Sequence, residues 1–227
     1  MSSTPMNILL VHGAWADGSS WAKVIAPLAE EGVKAVAAPL PLTSFADDVA
    51  ALERIEGPVV LIGHAYAGGV IGATRSDKVR TLVYVTALAP DEGETVADVF
   101  TRGKPHPQAP KLTPDAHGLI YLPKAAFAAA FAQNASNEDL TVLAAVQRPI
   151  SPACITVKVG RPLWKDRPAF FLIGEQDRMI VQDNQRFMAE RMRATTRSHP
   201  VDHAPLVTAP ALVLDIIHEA IGRSAKC

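Results

Sequence analysis

The chain has 227 residues, 48% apolar and 20% charged, which is enough for one domain with a packed core and excludes a disordered segment. Lys plus Arg number 22 against 23 Asp plus Glu, and this near balance excludes a general affinity for nucleic acid or for acidic membrane surfaces. Two cysteines, Cys154 and Cys227, make no disulfide scaffold, and no Cys/His spacing around them suits a zinc site.

In chain order, Asn7–Val11 reads as a short buried strand. Ser19–Glu31 reads as a helix with Trp21, Val24, Ile25 and Leu28 on one stripe, Ser19 or Ser20 as N-cap and Gly32 just past its end. Val33–Ala37 is strand-like. Ser44–Ile55 is helical, with Phe45, Val49 and Leu52 on one stripe and Asp47 and Asp48 in the first turn, where a helix dipole favours them. Pro58–Ile62 is a buried strand, Tyr66–Thr74 a helix of small residues suited to close packing on a sheet, and Val79–Thr86 a further strand. The alternation then stops. Between about Leu88 and Lys165, Pro105, Pro107, Pro110, Pro114 and Pro123 crowd the first half, and Lys124–Gln133 and Asn137–Gln147 read as short helices. A long insertion inside a compact domain is usually functional, and this one reads as a helical lid over about residues 88–165. The rhythm resumes with strand Ala169–Ile173, helix Gln182–Arg193, a weaker strand Thr195–His199 and a closing helix Pro210–Ile221. Such alternation predicts a single α/β domain over residues 1–227, with a mostly parallel sheet and helices on both faces.

Met1–Asn7 carries no basic n-region, and the apolar run Ile8–Val11 is too short for a signal sequence. His64, Tyr66 and several glycines interrupt the uncharged stretch 57–74, which reads as strand, turn and helix and not as a membrane span. The expectation is a cytoplasmic protein with reduced thiols, and a periplasmic form made with its signal removed would read the same.

Three strand ends carry the chemistry. The first is Gly63-His64-Ala65-Tyr66-Ala67-Gly68-Gly69, which follows a strand and opens a helix. This is the setting of a nucleophile elbow, G-x-S-x-G, with Ala65 at the serine's place. A phosphate cradle is the rival, but the spacing is neither G-x-G-x-x-G nor a P-loop. The second is Val11-His12-Gly13-Ala14-Trp15 after the first strand. It suits the other half of an oxyanion hole, whose two N–H donors would be those of Ala14 and Tyr66, with His12 a structural histidine. The third is a pair, Gly174-Glu175-Gln176-Asp177-Arg178 and Val201-Asp202-His203-Ala204-Pro205. Positions 65, 177 and 203 follow the order nucleophile, acid, histidine, with Asp177 orienting His203 as general base and acid. Asp91 is the competing acid, read instead as a turn residue. His64 is the competing histidine, whose side chain is expected to point elsewhere.

With these residues named, VHGAWADGSSW, GHAYAGGVI, YVTALAPDEGETVADV, GEQDRMI with QRFMAERM, and DHAPL, the chain resembles the α/β-hydrolase superfamily. More narrowly it resembles bacterial relatives of the plant methylesterase and salicylic-acid-binding protein family. The resemblance runs from Asn7 to about Ile221. It implies the α/β-hydrolase fold, with six strands in the order 2-1-3-4-5-6, and a carboxylesterase or lactonase activity needing no cofactor and no metal. The family's elbow is typically G-H-S-x-G-G. This chain departs at Ala65 and carries Ala67 before Gly68-Gly69. Hydroxynitrile lyases of the same neighbourhood place Thr at the position of Gly13 and Lys after the catalytic histidine, where Ala204 stands, so ester hydrolysis is implied over cyanohydrin cleavage.

Ala65 has two readings: an inactivated Ser-to-Ala variant, favoured because the rest of the machinery is intact, or a chain that does without the nucleophile. The second covers nucleophile-free His–Asp chemistry, as in a lyase, an isomerase or a cofactor-free oxygenase, and a non-catalytic small-molecule receptor. The expected partner is a small apolar or aromatic ester or lactone, with Trp15, Tyr121, Phe127, Phe131, Trp164, Met179 and Leu206 as candidate binding residues; neither nucleic acid nor a membrane is expected as a partner.

Overall fold

The computed structural model describes residues 6–53 and 57–224. Six strands, β1 (Asn7–Val11), β2 (Ala35–Ala38), β3 (Val59–His64), β4 (Val79–Val85), β5 (Ala169–Gly174) and β6 (Thr195–His199), form one sheet in the order β2-β1-β3-β4-β5-β6. Every pairing is parallel, so each return crosses a face of the sheet. Burial on both faces explains why β3 and β5 read as unbroken apolar runs: every one of their residues is buried. β6 is an edge, and its TTRSH sequence is correspondingly polar.

The helices are α1 (Ala22–Glu30), α2 (Phe45–Ala50), α3 (Ala67–Ala73), α4 (Val96–Phe100), α5 (Lys124–Ala126), α6 (Asn137–Val146), α7 (Gln182–Arg191), α8 (Pro205–Thr208) and α9 (Pro210–Ser224). α1 packs with α9 and α2 with α3, giving layers on both faces of the sheet. The first helix differs from expectation. A 3-10 turn, Gly18–Trp21, precedes α1, and its cap is Asp17, whose side chain accepts from Ser19 N; neither serine is the cap. Ser44 caps α2 by accepting from Asp47 N, while the expected end of that helix, Ile55, lies outside the described residues, as does Cys227. Gly32 adopts φ 75°, as a residue ending a helix in the left-handed region does.

Residues 86–168 join β4 to β5. They cross the carboxyl edge of the sheet and are stitched down at several points. Ile120 and Ile150 form an antiparallel bridge, the Trp15 indole N–H donates to Ile120 O at 2.9 Å, and Trp15 N donates to Arg148 O at 3.0 Å. Within this segment α5 widens into a π turn over Phe127–Phe131 in place of a regular helix to Gln133.

Candidate active site

β3 ends at His64, and the chain turns into α3 through Ala65 at φ 52°. A side-chain-bearing residue in this region costs about 1–2 kcal/mol, so the conformation is imposed by its surroundings. Two glycines impose it. A Cβ at Gly63 would stand 2.9 Å from Ala67 O, and one at Gly68 would stand 2.3 Å from Leu88 O. Strand and helix therefore approach closely enough to force the sharp turn. Trp15 (φ 58°) and Thr86 (φ 43°) share the same strained region at the ends of β1 and β4. Strained backbone thus gathers at the carboxyl edge of the sheet, where open α/β sheets bind ligands.

Two backbone donors flank Ala65. The N–H groups of Ala14 and Tyr66 make no hydrogen bond among the described residues, although both residues are buried and line the same cavity as Ala65. Buried N–H groups are nearly always paired, so an unpaired pair converging on a cavity is suited to an incoming oxygen. Gly13 makes the approach possible, since a Cβ there would lie 2.9 Å from the Ala65 methyl. His12 is structural. Its Nε2 accepts from Leu40 N at 3.1 Å, so Nδ1 carries the proton and donates to Gly13 O at 2.9 Å; burial holds its pKa below the usual histidine value.

The His203–Asp177 pair is in place. His203 Nδ1 lies 2.9 Å from Asp177 Oδ2, with both side chains buried. The other bonds to Asp177 fix its carboxylate: Oδ1 accepts from Met179 N (2.8 Å) and Ile180 N (2.9 Å), and Oδ2 also accepts from Gln185 Nε2 (2.8 Å). With the Nδ1 proton directed at Asp177, the lone pair of neutral His203 sits on Nε2, and His203 lines the cavity with Ala65. Gln185, which sequence reasoning missed, is fully buried and also accepts from Gly174 N at 3.1 Å. Its only sequence signal is a polar residue on a helix stripe otherwise carried by Met188 and Ala189.

His64 turns away from the cavity but not from the site. Its Nε2–H donates to His203 O at 2.8 Å, and Thr86 Oγ1 donates to the same carbonyl at 2.9 Å. Burial and the nearby His203 push the His64 pKa down to about 3, so the ring is neutral. Asp91 is paired with Lys165 on the outside of the fold. Asp202, next to the histidine, accepts from Ala204 N, Thr208 Oγ1 and Asn134 N, which leaves it facing its own loop and the inserted segment.

The cavity encloses about 210 Å³. Trp15 and Met179 line it as expected, with walls from Val96 and Phe100 of α4 and from Ile120, Ile150 and Ile155. The other expected binding residues lie elsewhere. Tyr121 is 47% exposed, on the outer side of a bridge whose neighbour Ile120 faces in. Phe127 packs on Phe131, and Phe131 stacks edge-on against His203 and His64, behind the imidazole and outside the cavity lining. Trp164 packs over α3 against Gly72, and Leu206 is core beneath the histidine loop. The expectation treated aromatic residues of the insertion as lining. The π turn and the bridge instead turn them toward the core or solvent, and apart from Phe100 and Thr101 the segment presents aliphatic side chains to the cavity.

Among known proteins, the chain matches the Alpha/beta hydrolase family over residues 8–216 and belongs to it. It is 29% identical over 119 residues to a carbendazim hydrolyzing esterase from Nocardioides sp. (strain SG-4G); the match covers 44% of this chain and 49% of the relative, so the chain aligns with about half the length of that protein. Its fold is similar to that of the pyrethroid hydrolase PytH, with TM-score 0.81 and 20% identity over 99% of this chain and 100% of the other. A methylesterase from Arabidopsis is also similar, with TM-score 0.77 and 16% identity over 96% and 99% of the two chains.

Proposed function

We propose that this is a carboxylesterase or lactonase site for small apolar or aromatic esters, akin to the bacterial relatives of plant methylesterases, with alanine standing where the attacking hydroxyl belongs. One observation carries the reading. A histidine bonded through Nδ1 to a fully satisfied carboxylate shares a cavity with the strained elbow residue and with two unpaired N–H groups. The relative named as an esterase supports the reaction class. Among the described residues no Lys or Arg lines the cavity, which favours neutral substrates.

In the Ala65→Ser form, His203 takes the hydroxyl proton as the oxygen attacks the ester carbonyl. The N–H groups of Ala14 and Tyr66 hold the developing oxyanion, each contributing roughly 3–4 kcal/mol as in comparable enzymes. His203 returns the proton to the departing alcohol, and water then releases the acyl group by the same route. Loss of such a nucleophile costs ~10⁶-fold in kcat, with ~10³–10⁴ over water remaining from the other groups. Bearing Ala65, the chain keeps the groups that bind ester and lacks the one that attacks it. The test is a panel of p-nitrophenyl esters and lactones assayed with the chain and its Ala65→Ser form. A gain of several orders of magnitude is expected, and no gain on any member overturns the reading.

A further inference from the structure

We infer that the chain as it stands hydrolyses activated esters by direct attack of water, with His203 as general base and no covalent intermediate. The inference rests on the placement of the site proposed above, but not on a serine ever having stood at 65.

The cavity supplies everything for carbonyl hydrolysis except an attacking atom of its own. Its polar side chains are few. The Trp15 indole donates to Ile120 O, and the Tyr66 hydroxyl donates to Asp48 Oδ2 at 2.6 Å. Thr101 Oγ1 donates to Ala97 O at 2.8 Å. Cys154 lies behind Tyr66 and Asp48 outside the lining, and burial pushes its thiol up to about 12, which keeps it protonated. Among the described residues lining it, His203 alone offers a basic nitrogen with a free lone pair, Nε2. A water needs about 30 Å³ and two or more polar partners. The cavity encloses about 210 Å³ and is lined by both Ala65 and His203, and a methyl group at 65 brings no oxygen into it. His203 Nε2 and the substrate carbonyl are then the partners of a water placed there.

The step balances without any further reagent. The water oxygen forms a bond to the carbonyl carbon while its proton passes to His203 Nε2. The carbonyl electron pair moves onto oxygen, held by the N–H groups of Ala14 and Tyr66. Collapse breaks the bond to the alcohol oxygen, which takes the proton from His203. Acid and alcohol leave, and the imidazole is neutral again.

The experiment uses the purified chain with a p-nitrophenyl ester of a short acyl group, next to His203→Gln, Asp177→Asn and Ala65→Ser, each first checked for a cooperative thermal transition. The account expects saturable hydrolysis above the buffer rate, linear from the first turnover and unaffected by a sulfonyl fluoride, with no acyl adduct in the intact mass. His203→Gln lowers this rate by about 10²-fold or more, the usual share of a general base. Asp177→Asn lowers it as well, by turning the imidazole to the wrong tautomer. A rate equal to that of His203→Gln, an initial burst, an adduct, or no rate above buffer each overturns the inference. A fast, sulfonyl-fluoride-sensitive Ala65→Ser form beside an inert parent chain upholds the esterase reading and sinks this one; His203-dependent turnover in the parent beside an unimproved Ala65→Ser form does the reverse.

Discussion

The Tyr66 hydroxyl donates to Asp48 Oδ2 at 2.6 Å, so the residue whose unpaired N–H faces the cavity is anchored through its side chain to a buried carboxylate on α2. The same carboxylate accepts from Leu42 N at 2.7 Å, and Leu42 itself sits at φ 60° and accepts from Ser151 N of the inserted segment. Burial, opposed by the bond from Tyr66, holds the Asp48 pKa above the usual carboxylate value. One acidic side chain thus ties the elbow, the loop before α2 and the insertion together.

Asp48→Ala strands the Tyr66 hydroxyl and Leu42 N–H, at about 1–3 kcal/mol for each buried unpaired group. Asp48→Asn costs less. Its carbonyl still accepts from Leu42, and its amide can donate to the tyrosine oxygen, which accepts in turn. Urea unfolding checks the order; equal losses in the two variants would contradict it.

His64 makes stability depend on acid. Its folded pKa, about 3, lies below the ordinary 6.5, so the unfolded chain takes up the proton first as pH falls. Stability is therefore full above pH 6.5 and drops by about 1.4 kcal/mol per pH unit between there and about pH 3. Buried His12 contributes with the same sign. His64→Gln keeps an N–H donor for His203 O and removes one titration, so denaturation midpoints measured at pH 7 and pH 5 lie closer together than in the parent. An unchanged gap would contradict the assignment.

Close backbone approach, not flexibility, explains Gly68. A Cβ there meets Leu88 O at 2.3 Å and Ala87 Cβ at 2.9 Å, so Gly68→Ala forces α3 off the sheet and costs more than about 3 kcal/mol. Gly222→Ala is the control. It lies in α9, exposed and with nothing within 4 Å of its Cβ, and it gains up to about 1 kcal/mol in helix propensity. Thermal denaturation of the two variants checks both signs.

Much of the site was legible because its residues sit where strands end. Ala65 follows β3, Asp177 follows β5 and His203 follows β6, and a parallel sheet places those ends on one edge whatever the helices do. Small residues around the elbow were readable for the same reason, since the sharp turn allows little else. The cavity wall was not legible. Residues 86–168 owe their path to scattered hydrogen bonds such as Trp15 to Ile120 and to a π turn, neither of which leaves a periodic trace. Phe127 and Phe131 are expected in the pocket, but Phe131 packs against the imidazole from behind and Phe127 packs on Phe131. Gln185 escaped notice and Asp48 reads only as a first-turn acid, because a buried polar residue on a helix looks, in sequence, like a solvated one.

The placement of a carbonyl carbon beside position 65 is tested most directly by intact mass spectrometry of Ala65→Ser quenched during turnover of a p-nitrophenyl ester. One acyl group per chain, mapped to position 65, is the expected outcome. An unmodified chain, or an acyl group mapped to any other residue, would contradict it.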